Sequence, residues 1–346
     1  MNNNYDELEN QIGMMGDDES LSVDKPKKLK HKELYGQKAD LSKSEEDSLN
    51  AFLSKDRARK EKAMELSVSS GWIPVDRSEL GIRSMFYPES WEFFIKPATV
   101  QAIKNWTSID EERVDQVNRI FNEIIKMCVK IDTHSEQGAG WAQINSWDRF
   151  WFILKVREYT FTKGEMKIEF TDACSECTED MTYTLTSDSL FYEFPDDDII
   201  EKYWGDGVWT IDPREYDVDH DVIILHTPKL GKDDAIIEWA TARGRAGQKL
   251  DENFIEMLVW MLNKPSKDAQ MLDRQIQKLY AEYKSWDVDM YTFMKDVIRN
   301  ITINPSEKLR QTCPHCSMEA TSNVQFPNGI KELFNTGSKV KKFGSR

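Results

Sequence analysis

Four of the chain's five cysteines fall into two Cys-x-x-Cys units, Cys174/Cys177 in "ACSECTED" and Cys313/Cys316 in "TCPHCSME". Two residues between thiols allow a tight turn to aim both sulfurs at one ion, and four thiolates complete a tetrahedron. Residues 178–312 separate the units, so a single site requires a zinc ribbon split by an inserted segment. Such an insertion costs only the slowly growing entropy of a longer loop. We expect one zinc ion shared by Cys174, Cys177, Cys313 and Cys316. Its role would be structural, because four protein ligands leave no position for water. Iron in a four-cysteine site is compatible with the same spacing. A thioredoxin-like pair fits less well, since neither unit precedes a helical pattern. His315, inside the second unit, is expected to face solvent rather than compete as a ligand.

These thiols need hairpins to aim them. "KIEF" precedes and "TYTL" follows the first unit, while "SNVQF" follows the second, and all three read as strands. Upstream, residues 1–66 are polar and charged and read as a disordered or partner-dependent arm. "WEFFIKP" reads as a strand ended by Pro97. A helix should follow, with Ser108 as N-cap and Glu111 completing a capping box. Val114, Val117, Phe121, Ile124, Ile125 and Cys128 form its apolar stripe, which makes Cys128 a core thiol. Residues 146–161 read as a strongly apolar helix. After a turn at Gly164, the first hairpin begins.

Residues 187–228 are acidic short-strand and turn material, with Asp196, Asp197 and Asp198 in a solvated turn. Helical periodicity then runs through 232–244, 251–263, 267–283 and 287–300. The expected fold is α+β: a small mixed domain with a split four-cysteine zinc ribbon, an inserted helical segment and a disordered N-terminal arm. Its parts are the arm (1–66), an α+β region with the first knuckle (67–186), and an acidic short-strand segment (187–231). A helical insertion (232–305), the second knuckle (306–330) and a basic tail (331–346) complete it.

Composition narrows the function. The 346 residues are 31% charged and 39% apolar with net charge −15, and no run approaches a membrane span. That charge argues against nucleic acid as the main partner, because phosphate binding needs a basic surface. The basic clusters "KPKKLKHK" (25–32) and "KVKKFGSR" (339–346) sit in flanking segments. The acidic N-terminus lacks the apolar core of a signal peptide, which suggests a cytoplasmic protein and argues against a structural disulfide. Eleven tryptophans suit a thick core or an interface buried on assembly.

No catalytic set emerges. Asp217, Asp219 and Asp221 have calcium-loop spacing, but Val222 and Pro228 stand where that loop needs Gly and Glu. "ARGRAG" (242–247) lacks the Lys-Ser/Thr of a phosphate loop. No zinc-protease or nucleophile-elbow motif is present. We expect no enzyme and no small-molecule substrate.

Several segments resemble the T-even-type myophage baseplate protein family. "LGIRSMFYP" (80–88) is similar to the family's opening motif, with Glu79-Leu80-Gly81 in place of its Leu-Pro-Ser. "KPATVQAIKNW" (96–106) and "WDRFWFILKVREYTF" (147–161) follow in the family's order, then the first cysteine pair, and "CPHC" closes the domain. The resemblance implies a structural or chaperone-like protein of tail baseplate hub assembly. It would contact other hub proteins, first in the host cytoplasm and then in the virion tail baseplate. The alternative is a zinc-ribbon adaptor that contacts nucleic acid or host transcription or translation machinery.

Overall fold

Three consecutive buried apolar residues, Phe93, Phe94 and Ile95, build the central strand of the first sheet in this computed structural model. The structure describes residues 71–108, 110, 114–133, 140–161, 167–327 and 329–334. All of them fall in one unit, Lys60–Arg346. The expected arm at 1–66, the turn at Gly164 and the tail from 335 onward lie outside the described residues.

Strands β1 (Ile73–Val75), β2 (Glu92–Ile95) and β3 (Val129–Asp132) form an antiparallel sheet in that order. Helices α1 (Val100–Thr107), α2 (Val114–Cys128) and α3 (Arg149–Thr160) belong to the same core cluster. Here the structure corrects one expectation. Ser108 is the C-cap of α1, not the N-cap of α2. Thr99, just beyond Pro97, accepts from the Ala102 amide and starts a short helix that uses up the preceding residues. Glu111 lies outside the described residues. The stripe itself holds: Val117, Phe121, Ile124, Ile125 and Cys128 are buried. Helix α3 is buried without a break from Trp151 to Arg157, as a helix through the middle of a core must be.

The first cysteine pair joins β4 (Ile168–Ala173) to β5 (Asp180–Leu185). Then β6 (Leu190–Glu193) leads into α4 (Asp197–Tyr203), so Asp196, Asp197 and Asp198 cap and open a helix rather than form a turn. Carboxylates there oppose the positive end of the helix dipole. Strands β7 (Trp204–Gly205), β8 (Val208–Ile211) and β9 (Ile223–His226) form a second small sheet. Four helices follow: α5 (Leu230–Arg245), α6 (Glu252–Met261), α7 (Ala269–Ser285) and α8 (Val288–Ile301). Asp251, Asp268 and Asp287 N-cap the last three, each accepting from the amide three residues on. Finally β10 (Asn304–Thr312) and β11 (Glu319–Asn323) carry the second cysteine pair between them.

Two cores result. The larger gathers the first sheet, α1–α3, both hairpins and parts of the later elements. The smaller joins Ile236, Phe254, Leu258, Leu262, Leu272 and Ile276 across α5–α7. All eleven tryptophans are buried or half-buried, so the core explanation of their abundance suffices within one chain. Among the described residues, Tyr216 is the one aromatic in the set of exposed large hydrophobic residues. Leu333 and Phe334, within the segment 331–346 read as a tail, are also buried, with Phe334 edge-on to Trp106 at 5.9 Å. Among the described residues no helix is long and apolar enough to cross a membrane.

Candidate metal centre

The two cysteine units adopt the same backbone turn. Cys174 N–H donates to the Glu179 carbonyl at 2.9 Å, and Thr178 N–H to the Cys174 carbonyl at 2.9 Å. In the second unit Cys313 N–H donates to Met318 and Ser317 N–H to Cys313, both at 2.9 Å. The residue after the second cysteine has positive φ in each case, 63° at Thr178 and 61° at Ser317. Such strain in non-glycine residues persists only where the surroundings demand it. Here it turns the chain sharply enough to point both thiols of a pair the same way. The amides of Glu176 and His315 each donate to the first sulfur of their own unit at 3.4 Å.

Distant chain segments bring the turns face to face. Cys174 Sγ lies 3.9 Å from Cys316 Sγ, and Cys177 Sγ lies 3.8 Å from Cys313 Sγ. All four sulfurs fall within 4.8 Å of one another. A tetrahedral ion with bonds of about 2.3 Å to sulfur sets its ligands roughly 3.8 Å apart, so the thiols are close enough to hold a metal ion. The longest separation exceeds that edge and also the roughly 4 Å that one compact site would give. Among the described residues no other set of three His, Cys, Asp or Glu side chains comes together this closely.

Electrostatics point the same way. The amides of Cys316 and His315 pull the Cys313 thiol down to about 7. At Cys177 the Glu179 amide favours the thiolate, but burial and the three neighbouring thiols push it up to about 12. Four thiolates at this spacing repel, and a cation is what lets them all ionise. The Tyr183 hydroxyl is buried without a hydrogen-bond partner among the described residues, and Cys174, Asp172 and Cys313 help raise its pKa after burial itself.

Side chains lock the hairpins together around the sulfurs. Gln311 acts as a strand in miniature: its Oε1 accepts from Thr184 N–H at 3.2 Å and its Nε2 donates to the Thr184 carbonyl at 2.7 Å. Ser322 Oγ donates to Asp172, and Thr321 N–H donates to Ser175 Oγ at 3.3 Å. His315 is exposed, and its Nε2 lies 3.2 Å from the Asp180 carbonyl. Strand β6 pairs with β10 on the side away from β11, an irregular ladder that the sequence pattern does not reveal. Cys128 sits apart in the main core, its thiol pushed up by burial. Asp217, Asp219 and Asp221 are exposed and do not gather into a site.

Sequence reading missed a second polar centre. Asp148 is fully buried, accepting from Ile82 N–H at 2.9 Å and from the Tyr87 hydroxyl at 2.8 Å. Tyr87 in turn accepts from Asn145 N–H at 3.1 Å. Burial raises the Asp148 carboxyl to about 7, with both hydrogen bonds working against the rise. Gly81 passes so close that an added Cβ would sit 2.8 Å from the Asp148 carboxylate and 2.4 Å from the Tyr192 hydroxyl. Elsewhere, Lys232 is buried and donates to the carbonyls of His226, Thr227 and Val259 at 2.9–3.2 Å. "FYP" and "WDRF" supply Tyr87 and Asp148, so two motifs far apart in sequence are one buried contact in space.

No curated protein and no solved structure matches the chain. The family model described as "T4 bacteriophage base plate protein" matches residues 86–332, from Phe86 beside the buried Tyr87 to beyond the second cysteine pair. This chain therefore belongs to the T4 bacteriophage base plate protein family.

Proposed function

We propose that the chain is a structural or chaperone-like protein of tail baseplate hub assembly, with one zinc ion on Cys174, Cys177, Cys313 and Cys316 stapling its two hairpins. Family membership already points to a structural rather than catalytic role, among other baseplate proteins in the virion tail. The convergence of four thiols from hairpins far apart in sequence carries the metal part of this reading. Bound zinc would supply the positive charge that lets four thiolates share one small volume. The chain's own residues do the rest. Thr178 and Ser317 turn the backbone, Gln311 and Ser322 hold the hairpins in register, and Cys174 and Cys313 are buried at the base. A baseplate role asks for a staple rather than an electron carrier, which favours zinc over iron.

In this reading 67–186 and 306–330 form the stapled body. The segments 187–231 and 232–305 lie between its knuckles, and the helical one offers partners a face. Quantitative mass spectrometry of purified phage particles beside infected-cell lysate tests the role. The chain should occur in particles at a fixed low copy number, or in lysate bound to baseplate intermediates. Its absence from both would contradict the proposal.

A further inference from the structure

We infer that the free edge of β9 and the groove beside it dock an extended, basic and apolar segment of a neighbouring protein, which adds a fourth strand to the β7–β8–β9 sheet. Among the described residues, strand β9 pairs with β8 on one side only. Among the described residues, no backbone hydrogen bond outside that sheet involves residues 222–225. Leu225 is buried and Ile223 packs on the core, whereas Val222 and Ile224 are 46% and 53% exposed. Natural edge strands are blunted by lysine, proline or a bulge, because an open apolar edge is a template for pairing. Residues 222–225 read Val-Ile-Ile-Leu and carry none of these sequence devices, and helix α6, which packs near the strand, leaves Val222 and Ile224 exposed.

Beside this edge runs a groove of about 200 Å³, lined by Val222, Ile224, Met261, Leu279, Trp286 and Met290 among others. Methionines adapt to the side chains they meet, which suits a surface that must receive a strand. An added strand would supply backbone bonds to β9 and place alternate side chains over this groove.

Charge selects the occupant. The groove's lining includes Glu282 and His220 but no lysine or arginine. At the start of the strand Asp217, Asp219 and Asp221 are exposed, and the nearby Arg214 is engaged by Asp212 at 2.8 Å. A basic segment is steered to such a rim. A second copy is disfavoured, since each carries a net charge of −15. That the partner belongs to the baseplate rests on the function proposed above, whereas the docking surface does not.

The test uses the purified full chain and a fluorescein-labelled nine-residue peptide of alternating lysine and valine, followed by anisotropy and hydrogen exchange. The peptide should bind and slow amide exchange at residues 222–226. Ile224→Lys, which keeps an exposed position exposed, should weaken binding about tenfold while circular dichroism stays unchanged. A glutamate–valine peptide, or one with proline at alternate positions, should not bind. The proposal fails if the lysine–valine peptide does not bind, or binds Ile224→Lys equally well. It fails in favour of a second copy if sedimentation shows self-association that Ile224→Lys abolishes. Tighter peptide binding after removal of residues 339–346 would make the chain's own tail the occupant and would also overturn it. Because this assay needs no phage, its failure would leave the baseplate reading untouched.

Discussion

The thiol hairpins and the helical segment between them are built on different physics. Strand β11 is Glu-Ala-Thr-Ser-Asn and buries only Ala320 and Ser322, so beyond Leu309 of β10 the second hairpin has little apolar surface with which to hold its place. The tips beyond Cys174 and Cys313 are largely exposed. In the helical segment, Phe254, Leu258 and Leu262 pack with Ile236, Leu272 and Ile276 into a core of their own, and an aspartate caps each of three successive helices. The second hairpin depends largely on a few specific atoms and the helical segment on apolar area, while the first hairpin is anchored in the main core by Ile168, Phe170, Met181, Tyr183 and Leu185. A perturbation that reaches the sulfurs should therefore open the ribbon and spare the helices.

The largest effect should come from removing ligands. Apparent binding energies of structural zinc in small domains reach about 10–16 kcal/mol. Cys313→Ser/Cys316→Ser should abolish amide protection around both cysteine turns and in β11 while α6 and α7 keep theirs. Equal loss everywhere would show that the two regions are not separable. Next, Phe254→Ala should cost about 3–5 kcal/mol, measured by denaturant unfolding, with metal content unchanged. That outcome is the mirror image of the cysteine result, and loss of metal here would break the contrast.

Gly81→Ala drives a methyl group toward the Asp148 carboxylate and the Tyr192 ring, and should cost roughly 1–3 kcal/mol. Asp148 adds a pH signature belonging to neither region. Burial lifts its folded pKa to about 7, well above the ordinary aspartate value. The folded state therefore holds a proton that the unfolded state has released, and the contribution of Asp148 to stability falls as pH rises from about 4 to 7. Burial lowers the His226 imidazole to about 4, so that group contributes with the opposite sign over part of this range. The Asp148 contribution is therefore read as the difference in unfolding midpoints between the parent chain and Asp148→Asn, a difference whose slope should approach ~1.4 kcal/mol per pH unit. The smallest effect is expected for Asp251→Ala, which removes the α6 cap at a cost of about 1 kcal/mol.

What the sequence disclosed follows the same division. The cysteine spacing identified the four residues that meet, because two thiols on one tight turn have few other uses. Helices α5–α8 were legible from periodicity, since each packs one apolar face. Contacts that depend on distant partners were not. The pairing of β6 with β10 leaves no local mark, and Asp148 looks like any helix-start aspartate until Ile82 and Tyr87 close over it. Ser108 misled because a serine before an acidic residue signals an N-cap, while Thr99 had already begun a helix that Ser108 ends. The tryptophans were ambiguous in principle: a ring buried within a chain and one buried between chains read alike.

The central claim is that one zinc ion joins two hairpins distant in sequence, and metal analysis of the purified full chain tests it most directly. Inductively coupled plasma mass spectrometry of protein prepared without chelator should give one zinc per chain, and none in the Cys313→Ser/Cys316→Ser variant. A chain that is folded, free of zinc and iron, and has all four thiols titrating as free groups would contradict the account.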